Sequence, residues 1–164
     1  METCSERLTQ VWKVSTMIDP SPELFAVFAI VLALLILKAQ VLAVSTALAR
    51  KSLMSFVIPE DAEWLGGDHT PTDLPKVRRI FRAHQNDLEA LLPFFIGGTL
   101  YLASGAPDLI GILYFVAFGL ARSAHSFAYL TKRPALRRNA FATAWLLNIV
   151  IAVHACGAIL LMAI

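Results

Sequence analysis

Four apolar segments alternate with polar stretches along the chain. The first covers residues 24–49, follows a break at Pro20 and Pro22, and contains one charged side chain, Lys38. The fourth covers residues 140–164 and contains no formally charged side chain. At about 1.5 Å per residue, a helix of either length crosses a hydrocarbon core of about 30 Å. Both segments are therefore predicted to be transmembrane helices.

The two middle segments are less uniformly apolar. Residues 88–103 are apolar apart from Glu89, and they extend a polar helical stretch that begins at Lys76. Residues 109–130 start with an apolar run of 13 residues and end in a more polar half. A run of that length alone also suits a soluble core helix, but beside two full spans it indicates a third span with a polar end. The residues between the two segments, 104–108, carry the glycine and proline of a tight turn.

The overall composition also favours a membrane protein. The 164 residues are 57% hydrophobic and 16% charged, and the mean hydropathy is +0.65. A soluble domain of this size could not bury so much apolar surface. We therefore predict one all-α domain, an integral membrane four-helix bundle with up-down-up-down topology over residues 24–164. Residues 1–23 are predicted to be a polar lead-in, without the cationic start and apolar stretch of a signal peptide.

Basic residues are concentrated beside two of the three connections. Six Lys and Arg side chains flank the first connection, residues 52–75, and four lie between the third and fourth segments, whereas the turn at 104–108 has none. Lys and Arg accumulate on the cytoplasmic side of membrane proteins. Both basic connections are therefore predicted to face the cytoplasm, and the first is predicted to be a loop with a turn at Gly66-Gly67. The net charge of only +2 gives no bulk attraction to nucleic acid.

Polar and ionisable side chains recur at helical spacing in the second and third segments. Such groups are costly in lipid, so they usually face the interior of a bundle or a cavity. One interpretation is that they pair with one another, and for Arg122 and Glu89 an ion pair and a ligand contact both stay open. The other is a chamber whose cations, carboxylate and neutral donors complement a zwitterionic peptide with extra carboxylates, such as glutathione. The residues in these stripes are Arg82, Gln85, Asn86, Glu89, Arg122, His125 and Tyr129.

Five further residues are assigned structural roles. Lys38 is predicted to snorkel or to make a charged contact between helices. His84 and Asp87 lie off the main stripe, which predicts a helix-surface or loop-docking role for both. His154 is predicted to pack between helices, and Cys156 to be a small buried hydrophobe. The two cysteines of the chain have no metal-site spacing and no disulfide framework.

The segment from Arg82 to Glu89, with the sequence RAHQNDLE, resembles a signature of the membrane-associated proteins in eicosanoid and glutathione metabolism (MAPEG). Pro59-Glu60-Asp61, Arg122-Ser123-Ala124-His125 and Ala128-Tyr129-Leu130 match other motifs of that family in order. The resemblance covers about residues 24–155 and points to the microsomal glutathione transferase and prostaglandin E synthase branches. It implies a homotrimer that binds glutathione between adjacent subunits near the cytoplasmic side and receives a lipophilic substrate from the membrane.

The resemblance also implies roles for single residues. Arg137 matches an arginine placed near the glutathione thiol, although a one-residue gap allows Arg137 and Arg138 to exchange roles. Arg138 and Phe141 replace a serine and a tyrosine of the prostaglandin synthase branch, and Gln85 replaces an arginine, which favours a transferase. The predicted catalytic residues are Arg137, Arg138 and Asp61, and Asp61 matches an acid that is the proposed partner of the arginine at position 137. The predicted glutathione-binding residues are Arg50, Arg82, Gln85, Asn86, Glu89, Arg122, His125, Tyr129 and Phe141.

Glutathione is a cosubstrate with its own nucleophile, so no catalytic cysteine or metal is expected in the protein. An arginine that stabilises the thiolate by about 2.7 kcal/mol raises the ratio of thiolate to thiol about a hundredfold. We therefore expect a glutathione transferase for lipophilic electrophiles, with reduction of lipid hydroperoxides as a side activity. The site should face the cytoplasm, in an endoplasmic reticulum or bacterial inner membrane. The alternatives are a prostaglandin E synthase-like isomerase, a non-catalytic lipid-binding scaffold, and a small transporter or proton relay.

Overall fold

The structure, a computed structural model, describes residues 20–162 of the chain. Helices account for most of this part, which confirms the all-α prediction. The elements in order are α1 (Pro22–Leu53), β1 (Ser55–Phe56), α2 (Pro59–Leu65), β2 (Asp68–His69), α3 (Pro75–Leu102), α4 (Asp108–Leu130) and α5 (Pro134–Met162). Most of the predicted lead-in and the end of the fourth predicted span lie outside the described residues.

Proline marks the beginning of several helices. Pro22, Pro59, Pro75 and Pro134 are each the first residue of a helix, where proline loses no intrahelical hydrogen bond. Helix α1 is also capped, because the backbone N–H of Leu24 donates to Ser21 Oγ over 3.1 Å. The predicted bounds of the first three segments agree with the helices to within a few residues. Helix α5 begins six residues before the predicted fourth span, and its first turns are therefore basic.

The first connection differs from the predicted loop. It contains the short helix α2 and a parallel pair of two-residue strands, in which Ser55 lies opposite Asp68 and Phe56 opposite His69. A seven-residue helix is too short to show a clear periodicity, so the sequence pattern did not reveal it. The predicted turn is present, since Gly66 ends α2 with a φ of +68°.

Three of the four long helices, α1, α4 and α5, are long and apolar enough to cross a membrane. Helix α3 has 28 residues, but its N-terminal half is polar, and a crossing by this helix stays a prediction. Many large apolar side chains of the three helices are exposed on the described chain, such as Leu34, Val41 and Leu120. Exposed apolar surface on this scale fits contact with lipid or with another subunit. Cys156 is also exposed, so its predicted burial is wrong for the described chain.

The core lies between α1, α3, α4 and α5 and is rich in aromatic rings. Phe94 of α3 stacks on Phe118 of α4 with ring centroids 4.1 Å apart, and Phe28 of α1 lies 5.6 Å from Phe94. Gly98 permits the close approach of α1, because a Cβ atom there would overlap the Phe28 ring. His154 packs 5.4 Å from the Tyr101 ring, which confirms its predicted helix contact.

A buried carboxylate joins three of the helices. Asp87 of α3 accepts hydrogen bonds from Lys38 Nζ of α1 at 3.1 Å and from Arg122 Nη2 of α4 at 2.7 Å. Ser126 Oγ donates to the same carboxylate at 3.0 Å. The inter-helix role predicted for Lys38 is confirmed. The surface role predicted for Asp87 is wrong, because Asp87 shares the buried face of α3 with Phe94, seven residues further on.

We expect Asp87 and Lys38 of this charge cluster to differ sharply in their contribution to stability. Asp87→Asn leaves two buried cations without a carboxylate, and breaking a buried pair in this way costs about 3–5 kcal/mol. Lys38→Met leaves a neutral Asp87–Arg122 pair and should cost clearly less. Unfolding of the detergent-solubilised variants by a graded denaturing detergent would measure both free energies. Equal losses from the two variants would contradict this account of the cluster.

Candidate functional site

A cleft lined by arginines lies between the beginning of α3 and the beginning of α5. It has a volume of about 320 Å³ and contains four guanidinium groups and no acidic side chain in its lining. We refer to it as the basic cleft. An anion with several carboxylate or phosphate oxygens is the kind of ligand that such a lining favours. The lining residues are Pro75, Arg78, Arg79, Arg82, Tyr129 and Arg137.

The structure separates the two arginines at the beginning of α5. Arg137 is half-buried, and its Cζ atom lies 4.7 Å from the centroid of the Tyr129 ring, in a cation–π contact. Arg138 is exposed, and its Nε atom is 3.4 Å from Asn139 Oδ1. Adjacent residues of a helix point about 100° apart, so only one of the two faces the cleft. That residue is Arg137.

A second cavity, which we call the inner cavity, lies between α3, α4 and α5, further along these helices than the basic cleft, and it is open to the outside beside the exposed Glu89, Phe141 and Trp145. Its volume is about 210 Å³, and polar groups at one end give way to apolar walls. Arg122 is almost fully buried there, and its Nε atom has no hydrogen-bond partner among residues 20–162. The lining residues are Asn86, Glu89, Ala90, Pro93, Arg122, Phe141, Ala144, Trp145 and Asn148.

His125 lies between the basic cleft and the inner cavity. Its ring centroid is 5.8 Å from that of Tyr129, which lines the cleft, and 6.0 Å from that of Phe141, which lines the cavity. The imidazole is buried, and its Nδ1 atom makes no hydrogen bond within the described part of the chain. The three rings therefore form a row of contacts between the lining of the basic cleft and the lining of the inner cavity.

Seven predicted site residues line the two cavities and an eighth, His125, lies between them, while four lie elsewhere. Gln85 and Arg138 are exposed and line neither cavity. Asp61 is exposed at the beginning of α2 and forms no salt bridge with a described residue. Arg50 binds the Asp73 carboxylate through two hydrogen bonds of 2.8 Å. The roles assigned to these four residues stay predictions.

The Arg50–Asp73 pair fixes the end of α1 to the segment that precedes α3. Hydrogen bonds from Arg50 hold the pKa of the Asp73 carboxyl below its usual range. The carboxylate is therefore ionised at neutral pH. The stability that it contributes is present above the ordinary carboxyl pKa and is lost as the pH falls through the lowered value.

Several lining residues were not predicted from the sequence. Arg78, which was missed, lies four residues before the predicted Arg82 and so shares its face of α3, a signal that points to one basic surface. Asn148 is the only carboxamide in the fourth apolar segment, and a polar group in a span is itself a sign of function. Within residues 20–162, no three His, Cys, Asp or Glu side chains are grouped to hold a metal ion.

The arrangement suits an anionic ligand with one cationic group. The basic cleft offers cations to carboxylates, while Glu89 at the polar end of the inner cavity offers a carboxylate to an ammonium group. Arg137 holds a fixed positive charge next to the connection between the cavities. A guanidinium stays protonated at all physiological pH values, so it can stabilise an anion but cannot act as a base.

Known proteins resemble this chain over most of its length. Prostaglandin E synthase of Homo sapiens is 36% identical over 124 residues, which are 76% of this chain and 81% of that protein. Prostaglandin E synthase of Bos taurus is 38% identical over 107 residues, 65% of this chain and 70% of that protein. Microsomal glutathione S-transferase 1 of Homo sapiens is 37% identical over 116 residues, 68% of this chain and 75% of that protein.

The match to a protein family extends over nearly the whole helical region. Residues 25–157, from α1 to near the end of α5, match the sequence profile of the MAPEG family. This range contains the basic cleft, the inner cavity and the charge cluster. Together with three helices that are able to cross a membrane, it shows that the chain is a membrane protein of the MAPEG family.

Proposed function

We propose that this protein is a membrane-bound glutathione transferase that stabilises the glutathione thiolate and adds it to lipophilic electrophiles. The observation that carries the proposal is the position of Arg137, half-buried in the basic cleft and held against the Tyr129 ring. A relative named microsomal glutathione S-transferase 1 supports this choice of reaction. Reduction of lipid hydroperoxides by the same thiolate is a side activity that we also expect.

The charges around the two cavities match those of glutathione. Its two carboxylates would bind the arginines of the basic cleft, and its ammonium group would bind Glu89. Ligand pockets usually measure about 300–1,000 Å³, and the basic cleft alone reaches the lower end of this range. The thiol would then lie near Arg137, Tyr129 and His125, where the two cavities meet.

Arg137 acts on the thiol through its charge alone. The guanidinium favours the ionised sulfur, and the thiol proton passes to solvent. Because Arg137 is held in place before the ligand binds, little reorganisation is required when the negative charge forms. A stabilisation of about 2.7 kcal/mol would raise the ratio of thiolate to thiol about a hundredfold.

The family resemblance suggests how the remaining residues join the site. A homotrimer with glutathione between adjacent subunits would bring Arg50 and Asp61 of a neighbouring subunit towards the cavities of α3, α4 and α5. This arrangement accounts for two predicted site residues that line neither cavity. It also places four spanning helices in each subunit, with α2 and the beginning of α5 on the cytoplasmic side.

Prostaglandin E synthesis is the second candidate, since two of the relatives carry that name. Phe141 lines the inner cavity but has no hydroxyl group, and Arg138 is exposed. The site therefore lacks the two hydroxyls that the resemblance associates with isomerisation. An assay of prostaglandin endoperoxide isomerisation beside conjugation would decide between the two activities.

Arg137→Ala should abolish most of the ultraviolet absorbance of bound thiolate and reduce conjugation at neutral pH more than tenfold, with only a modest loss of glutathione binding. The reason is that the main role of Arg137 is to stabilise the sulfur anion. Difference spectroscopy and calorimetry would measure thiolate and binding separately. Arg138→Ala, the matched control, should retain both. Loss of binding with retained thiolate absorbance would identify Arg137 as a carboxylate ligand instead.

Cysteine labelling of intact cells should show that α2 faces the cytoplasm and the turn at 104–108 faces outward, as the distribution of basic residues indicates. The labelled positions would be Trp64→Cys and Ala103→Cys, both exposed, in a Cys4→Ser, Cys156→Ser background. An impermeant thiol reagent should modify position 103 only. Modification at position 64 would refute the orientation.

Co-expression of two inactive variants should restore activity if the site lies between subunits. Mixed oligomers of Arg50→Ala and Arg137→Ala contain some sites with both arginines intact, up to about a quarter under random assembly. Native mass spectrometry of the solubilised protein should show three 18.0 kDa chains. Failure to recover any activity, from mixed oligomers of confirmed composition, would mean that Arg50 does not complete a site across subunits.

A further inference from the structure

The deep end of the inner cavity combines apolar walls with a single carboxamide. Ala90 and Pro93 of α3 and Ala144 and Trp145 of α5 line it, and Asn148 lies at the end furthest from Arg137 along α5. The Trp145 side chain is 59% exposed on the outside of the described chain. The cavity wall therefore borders the apolar surface of α5, from which a lipophilic molecule could enter.

The orientation of the Asn148 amide is fixed by α3. Its Nδ2 atom donates to the backbone carbonyl of Ala90 over 3.2 Å. Because a carbonyl can only accept, the atom that faces it must be the amide nitrogen, and the remaining atom is the oxygen.

The oxygen atom of this amide is a buried acceptor beside the cavity. Asn148 Oδ1 makes no hydrogen bond to any described residue. The donors that line the cavity, Asn86, Arg122 and the Trp145 indole, make no hydrogen bond to this oxygen, and buried polar atoms normally have a partner. A ligand in the deep end that carries a hydroxyl group would supply one.

We propose that Asn148 selects lipophilic electrophiles that carry a hydroxyl group far from the reacting carbon. This inference rests on the proposed transferase function and names the substrate class of that site. Phe141, at the junction of the cavities, precedes Asn148 by seven residues, about 10 Å along the helix. The electrophilic carbon lies near the junction and the hydroxyl lies at Asn148, with a medium-length apolar chain between them.

The bonding changes in such a reaction balance without a further reactant. The thiolate sulfur forms a bond to the β-carbon of an unsaturated aldehyde, and the π electrons of the alkene move towards the carbonyl to give an enolate. A proton from solvent, equivalent to the one lost by the thiol, then completes the saturated thioether. The distant hydroxyl keeps its bonds throughout, so it affects recognition and leaves the intrinsic reactivity of the alkene almost unchanged.

Kinetics with a matched pair of substrates would test the role of Asn148. The substrates are 10-hydroxy-2-decenal and 2-decenal, and the measured quantity is the ratio of their kcat/KM values in each protein. Asn148→Leu should lower this ratio about tenfold, the effect of one hydrogen bond, mainly by slowing the hydroxylated substrate. Thr143→Val, an exposed polar position on α5 outside the cavity, should leave the ratio unchanged. An equal loss for both substrates in Asn148→Leu would show that Asn148 only supports α3, and would overturn the proposal.

A binding measurement separates this inference from the proposed reaction. In a Trp12→Phe, Trp64→Phe background, Trp145 is the only tryptophan, and it lines the cavity. A bromoalkanol should quench its fluorescence at about tenfold lower concentration than the bromoalkane of equal chain length, corrected for membrane partitioning, and Asn148→Leu should remove most of the difference. If this preference holds but neither enal is conjugated, the transferase function fails and the hydroxyl site stands. If conjugation proceeds with no hydroxyl preference in either measurement, the site proposed at Asn148 is wrong.

Discussion

The arrangement of the other helices depends on the ion pairs that the Asp87 carboxylate makes. It binds a lysine from α1 and an arginine from α4, so the interior face of α3 cannot rotate without exposing or separating charges. With that face fixed, the adjacent face of α3 is directed towards α5, and it carries Asn86, Glu89 and Pro93 into the inner cavity. Replacement of such clusters by apolar groups is often tolerated. We therefore infer that this cluster mainly selects one packing of α1, α3 and α4 among the several that an apolar core would permit.

The two polar faces of α3 explain both a success and an error of the sequence predictions. Apolar length and basic flanks located the helices, and spacing placed Asn86 and Glu89 on one face. Spacing does not state which neighbour each face meets, so Asp87 was assigned to the surface although it belongs to the most buried face. The short elements α2, β1 and β2 were missed because two to seven residues contain too little periodicity. Asn148 was missed because a single amide in an apolar run has no pattern at all.

The two arginines at the beginning of α5 lie in different surroundings, a difference that the sequence match alone leaves open. A sequence match with a one-residue gap permits either Arg137 or Arg138 beside the thiol. On a helix, that one-residue shift is a rotation of about 100°, which separates a position in a cleft from one in solvent. The ring of Tyr129 lies against Arg137. The direction in which α4 presents that ring therefore identifies Arg137 as the arginine in the cleft.

The sequence separation within the charge cluster has a consequence for biosynthesis. Lys38 and its carboxylate are 49 residues apart, and the first helix enters the membrane before the helix that carries Asp87. At that stage the lysine has no counter-ion, and an ammonium group at the centre of a span opposes insertion by about 2.5–3.5 kcal/mol. The other residues of α1 must offset this cost unaided. The strongly apolar composition of α1 is thus required for its insertion into the bilayer, at a stage when no packing partner is present.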